Sequence, residues 1–126
     1  MGSIRRPAVQ RGEVWMVALD PTIGSEQAET RPCVVVQRDS ANRSGRTTIV
    51  VPFTDAANSV TSIIAPRFDK GDGGLIKASV ALCHQVRAVD RIRLRTRLGA
   101  LGTDALRTLG IGLNIILDLE IGSCAP

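Results

Sequence analysis

The stretch PCVVVQRDSANRSGRTTIVVPF, Pro32–Phe53, decides the fold. Two β-branched runs, Cys33–Gln37 and Thr47–Phe53, flank the turn-rich DSANRSGR of Asp39–Arg46. Valine, isoleucine and threonine are stiff at χ1 and fit a pleated surface, so both runs are expected to be buried strands with a loop connecting them. Upstream, Glu13–Leu19 carries apolar residues on both faces and reads as another strand. Asp20-Pro21 then opens a long polar loop, PTIGSEQAETR, from which Pro32 restarts the chain into a strand. Downstream, Ser62–Phe68 is a weaker strand kept to an edge by Pro66, and Lys70–Gly74 is a turn. Ala78–Val89 reads either as one long strand or as two strands broken near His84-Gln85.

The tail changes period. Arg91, Arg93, Arg95 and Arg97 alternate with Ile92, Leu94 and Thr96, a spacing that shares one face of a strand but scatters round a helix. An irregular or single-turn segment is expected through Leu94, then a short strand near Arg95–Leu101. Thr103 is the expected N-cap of a closing helix, with Leu106, Leu109, Leu113, Ile116 and Leu117 on one stripe and Gly122 as its stop. Gly110 and Gly112 weaken that helix by up to about 1 kcal/mol each relative to alanine. The fold class is therefore mainly β with helices (α+β). A single domain is expected over residues 1–126, with 1–10 a flexible lead-in.

Composition bounds the function. At 126 residues and 13.4 kDa there is room for one core. An apolar share of 44% with 22% charged residues excludes disorder. No apolar stretch approaches the roughly 20 residues of a spanning helix, and no secretory signal opens the chain, so the cytoplasm is the expected location. Of the sixteen cations behind the net charge of +4, fourteen are arginine; the lysines are Lys70 and Lys77. Arginine grips phosphate through a planar fork of donors. A polyanionic partner and a GC-rich coding bias account for this excess about equally well.

Cys33, Cys83 and Cys124 form no C-x-x-C pair, and His84 is the sole histidine, so the ligands of a zinc site do not assemble and no metal or other cofactor is expected. Cys33 and Cys83 read as reduced core residues. Neither a hydrolase triad nor a phosphate-binding loop is present. The remaining inventory of arginine, carboxylate and hydroxyl suits phosphodiester chemistry on RNA, whose ribose brings its own 2′-OH nucleophile.

RGEVWMVALDPTIGSEQAETRPCVVVQRD (Arg11–Asp39) resembles the amino-terminal signature of the MazF/PemK toxin family. Asn42-Arg43, TTIVVPFT (Thr47–Thr54), GLIKASVAL (Gly74–Leu82) and QVRAVDRIRL (Gln85–Leu94) extend the resemblance over almost the whole chain. It implies a small SH3-like β-barrel of the MazF/PemK/CcdB type with a carboxy-terminal helix. The implied activity is that of the toxin of a type II toxin–antitoxin system: a sequence-specific, metal-independent endoribonuclease that inhibits translation and growth. Single-stranded RNA would be cut by 2′-OH attack, leaving a 2′,3′-cyclic phosphate and a 5′-OH. A homodimer with its RNA groove across the two-fold axis, and a cognate acidic antitoxin covering that groove, are implied as partners.

On this resemblance the family's catalytic arginine falls on Arg31, its catalytic threonine on Thr54 and its acidic loop residue on Glu26. Its RNA-contacting glutamine falls on Gln85, with Ser25, Gln27 and Arg87 as further RNA-binding candidates. Arg31 suits stabilisation of the phosphorane charge, and Glu26 either takes the 2′-OH proton or orients Arg31. An arginine and an aspartate that act in one branch of the family are replaced here by Leu82 and His84, so that scheme does not carry over. His84 is either a group titrating near neutral pH or a satisfied strand residue. With Trp15, Phe53 and Phe68 as the only aromatics, base stacking is limited, and Arg87 and the arginines of 91–97 are left to supply more of the binding. The gyrase-poisoning CcdB toxins share this barrel, but they depend on a tryptophan near the carboxy terminus, whereas the only tryptophan here is Trp15.

Overall fold

The computed structural model describes residues 5–19 and 30–119. Strands β1 (Glu13–Ala18), β2 (Thr30–Val35) and β3 (Thr47–Asp55) are antiparallel neighbours in that order. The free edge of β1 takes β7 (Leu94–Ala100). Along its other edge β3 pairs first with β6 (Arg87–Asp90) and then with β5 (Ser79–Ala81), which carries the two-residue β4 (Arg67–Phe68). The resulting barrel-like, antiparallel sheet follows the path β4-β5-β3-β2-β1-β7. Helix α2 (Thr103–Ile116) packs Leu106, Leu109 and Leu113 against it. No described helix is long and apolar enough to cross a membrane.

Strand alternation builds two cores. Val14, Val34, Val51 and Phe53 face one side, with Phe68, Leu75 and Leu109 over them. Phe53 and Phe68 meet edge to face at 6.0 Å, a favoured aromatic geometry. Trp15, Val17, Cys33, Val35 and Val50 face the other side, beneath Val9, Val89 and Leu94. The two apolar faces of β1 are thus both covered within one chain, and they give no reason to invoke a second copy.

Prolines interrupt this sheet at two places where a central strand would lose a bond. The Val36 amide donates to the Ile49 carbonyl, so even-numbered residues of β2 direct their peptide groups toward β3. Pro32 therefore lacks its donor on that side, and the β2–β3 ladder ends at Cys33–Pro52. In β3 the even positions face the opposite edge, where the Pro52 carbonyl accepts from the Leu82 amide at 2.9 Å. The missing Pro52 donor falls in the gap between β6 and β5, beside the 3-10 turn Cys83–Gln85. The region 78–89 is accordingly two strands with a break at His84-Gln85.

Four expectations are corrected. Asp39–Ser44 is a short helix, α1, and not a loop. Its buried Asn42 accepts from the Thr48 hydroxyl at 2.7 Å and donates to the Gln37 carbonyl at 3.0 Å, drawing the turn residues onto the sheet. Thr103 is the first helical residue of α2; Gly102 is the N-cap, with no side chain to cap with. Ile116 and Leu117 are exposed at the end of α2, and Gly122 lies outside the described residues. β2 begins at Thr30, so Arg31 belongs to a strand, opposite Val17 of β1.

The arginines of 91–97 are largely committed to the fold. Arg91 donates to the Pro7 and Gly45 carbonyls at 2.6 and 2.8 Å, Arg93 to the Ala18 carbonyl, and Arg97 to Glu13 at 2.9 Å. Arg6 reaches Asp90 through two guanidinium nitrogens at 2.8 and 3.1 Å, and Val9 is buried; these contacts tie down residues 6–9, where a loose lead-in is expected from sequence.

Asp90 connects the fold to pH. The Arg6 guanidinium, aided by the Ile92 amide, holds its carboxyl at about 2. A depressed native value stabilises the fold above the unfolded value of about 3.9 and is lost as pH falls. Melting temperature should therefore drop between about pH 4 and 2 in the native protein, and Asp90→Asn should flatten that limb. The two helix glycines should respond oppositely to alanine. A Cβ at Gly110 meets open space, so Gly110→Ala should gain up to about 1 kcal/mol. At Gly112 it would lie 2.8 Å from both the Cys83 sulfur and the Ile63 carbonyl, so Gly112→Ala should cost about 1–3 kcal/mol by urea unfolding.

Candidate active site

Beyond Cys33–Pro52, β2 stays with β1 while β3 turns to β5, and the two strands part. A cavity of about 550 Å³ opens in the resulting cleft, with Arg31 on one bank and Thr54 on the other. The ladder's register projects these two residues onto each other, two positions past its last pair. Their backbones are fixed independently, Arg31 by Val17 of β1 and Thr54 by Val80 of β5. Met16, Phe53, Leu75 and Leu98 give the cavity an apolar lining, and its volume suits a nucleotide-sized ligand.

Arg87, on β6 opposite Val50, lies outside this cavity. Burial pushes the Cys33 thiol up to about 12, and the positive charges of Arg31 and Arg87 both pull it back. Both guanidinium groups therefore act on the same buried sulfur. Gln85 is exposed on the 3-10 turn before β6 and does not line the cavity, and His84 beside it is exposed as well. Ser25, Glu26 and Gln27 lie outside the described residues. Among the described residues no three metal-ligating side chains come together. Trp15, Phe53 and Phe68 are all buried, so none of the aromatics offers a stacking surface.

Two polar residues of the cavity, Asp55 and Lys77, escape the motif reading. Asp55 follows Thr54, and its carboxylate accepts from the Ala57 amide at 2.9 Å and from the Lys77 ammonium at 3.1 Å. These partners, the amide foremost, hold its pKa below the usual carboxylate value. A carboxylate so engaged is a poor proton acceptor. The signal that could have found Lys77 is compositional: it breaks an otherwise arginine-dominated pattern inside a matching segment.

Alkylation should report this environment directly. At about pH 8, where an ordinary thiol near 8.5 is partly ionised, Cys33 should stay unmodified in the folded protein and react once urea unfolds it. Peptide mass spectrometry distinguishes it from the other two cysteines.

Comparison with known proteins gives concordant results. The family model of the PemK-like, MazF-like toxins of type II toxin–antitoxin systems matches residues 10–117. Endoribonuclease MazF of Staphylococcus epidermidis is 34% identical over 112 residues, spanning 89% of this chain and 93% of that protein. Among solved structures, a mycobacterial endoribonuclease in complex with its cognate antitoxin superposes with a TM-score of 0.74 at 18% identity, covering 90% of this chain and 98% of its own. MazF of Deinococcus radiodurans superposes at 0.73 with 21% identity, covering 91% and 99%.

Proposed function

The chain belongs to the PemK-like, MazF-like toxins of type II toxin–antitoxin systems, and from that premise we propose how its cleft cuts RNA. It is an endoribonuclease. The reaction is metal-independent, sequence-specific cleavage of single-stranded RNA in the cytoplasm: the ribose 2′-OH attacks the adjacent phosphorus, the 5′-oxygen leaves, and the ends are a 2′,3′-cyclic phosphate and a 5′-OH. Loss of intact transcripts then halts translation and growth.

The observation that carries this reading is the placement of Arg31 and Thr54 on opposite banks of one cavity, each held by a different neighbouring strand. The Arg31 fork stabilises the charge that grows on the equatorial oxygens, a role that does not require it to lose its proton. Thr54 donates its hydroxyl to a phosphate oxygen. With Asp55 engaged by its neighbours, Glu26 takes the 2′-OH proton. Ser25 and Gln27 contact RNA beside Glu26 in the sequence, Arg87 meets a backbone phosphate and Gln85 reads a base edge.

The protein acts as a homodimer and is silenced by an acidic antitoxin. Support for the dimer comes from the outer face of α2, where Ile111, Ile115 and Ile116 are exposed. The acidic partner suits a chain of net charge +4.

A long transcript incubated in EDTA should be cut, and its new 5′ ends should accept phosphate from a kinase without prior dephosphorylation. Arg31→Ala should slow cleavage about 10²–10³-fold while RNA affinity falls far less, because the charge it meets develops only in the transition state. Arg31→Lys should rescue little, and Thr54→Val tests the hydroxyl at constant shape. Near-native cleavage by a folded Arg31→Ala protein removes Arg31 from the chemistry.

A further inference from the structure

We propose that Ile76 and Lys77 form the element of this cavity that grips one nucleotide of the RNA beside the scissile phosphate, an inference that rests on the ribonuclease reading above. Single-stranded RNA is commonly held by aromatic side chains stacked on its bases and by cations along its backbone. Every aromatic of this chain is buried, so apolar contact with a base falls to an aliphatic side chain. Ile76 lines the cavity and is 73% exposed, a large apolar side chain left in water at the mouth of the site. Its neighbour Lys77 lines the same cavity, with a side chain 60% exposed. The adjacent pair presents an apolar surface and a cation together, matching a base and its phosphate.

The element is held in place from both ends. Before it, the 3-10 turn Asp72–Gly74 presses against β7, where a Cβ on Gly99 would come within 2.7 Å of the Gly73 carbonyl oxygen. Gly73 and Gly74 both have positive φ, which favours glycine there. After it, Ser79 pairs with Asp55 in the β3–β5 ladder. Asp55 also aims Lys77, with one carboxylate oxygen on the Ala57 amide and the other on the ammonium. An ammonium has three donors, so two remain for a phosphate. Arg31 supplies a second cation to the same cavity, and the anionic backbone of RNA is the ligand that this pairing of charges fits.

The test uses the full-length protein and an oligoribonucleotide spanning a cleavage site mapped on a long transcript, with a 2′-deoxy substitution at the scissile nucleotide to block cutting. Dissociation constants are measured across a salt series. Lys77→Met should weaken binding and lower the slope of log Kd against log salt by about 0.7, a roughly fivefold smaller change in Kd per tenfold change in salt. Lys77→Arg should keep the slope. Ile76→Ser should weaken binding several-fold with the slope unchanged. Both positions are exposed, so melting temperatures should hold.

Because Lys77→Met also bares the Asp55 carboxylate, the double variant Lys77→Met/Asp55→Asn is decisive: its slope should stay reduced. A slope restored to the native value in the double variant, or an unchanged slope in Lys77→Met, overturns the proposal. So does native RNA binding by these variants combined with weakened capture of a cognate acidic antitoxin, which would assign the element to that partner. If native protein leaves the transcript intact in EDTA, the ribonuclease reading itself fails. If native protein cuts while Lys77→Met keeps the native slope, only the grip fails.

Discussion

Two missing amide hydrogens organise this molecule. Pro32 and Pro52 cannot donate, and β2 and β3 keep company only as far as the pair that Cys33 makes with Pro52. Past it, each strand follows its other neighbour, β2 holding to β1 and β3 crossing to β5. In an uninterrupted sheet Arg31 and Thr54 would be an ordinary cross-strand pair with no space between them for a ligand. The break converts that pair into the two banks of a cleft while leaving each backbone in a ladder. Rigidity and opening, which usually compete, are obtained here from the same two residues.

The charge distribution follows from the same architecture. Arginines at 91, 93 and 97 cross-link the strand ends and the amino-terminal segment through backbone carbonyls and Glu13. Arg31 and Arg87 instead flank Cys33 on the sheet beside the cleft, where their charges act against the effect of burial on the thiol. The arginines thus serve the fold at 91, 93 and 97 and line the cleft at Arg31, and composition alone cannot make that division. A guanidinium satisfies carbonyls and phosphates with the same donors.

Much of this was legible in the sequence because much of it is periodic. The β-branched runs at 33–37 and 47–53 are the strands of the sheet centre, and the break at His84-Gln85 sits where β6 gives way to β5. What escaped reading depends on contacts that residues make outside their own element. The helix at Asp39–Ser44 exists because Asn42 finds Thr48 and the Gln37 carbonyl, partners that local propensity does not see. Ile116 and Leu117 are exposed although they share the helical stripe of Leu109, because periodicity marks a face of the helix but not how far its packing extends. Of the residues lining the cavity, Arg31 and Thr54 stand out in their motifs, whereas the pairing of Asp55 with Lys77 at 3.1 Å arises only from the fold.

The close approach of Gly73 and Gly74 to Leu98 and Gly99 has a thermodynamic consequence for binding. Residues 75–77 span from that backbone contact to the β3–β5 ladder like a beam supported at both ends. A wall supported in this way has little conformational freedom left to surrender when a ligand arrives. Ordering an interface loop or side chain costs about 0.5–1.5 kcal/mol per immobilised group, and a preformed wall avoids much of that charge against affinity. Folding has already done the ordering, in a turn where two glycines allow one backbone to rest on another.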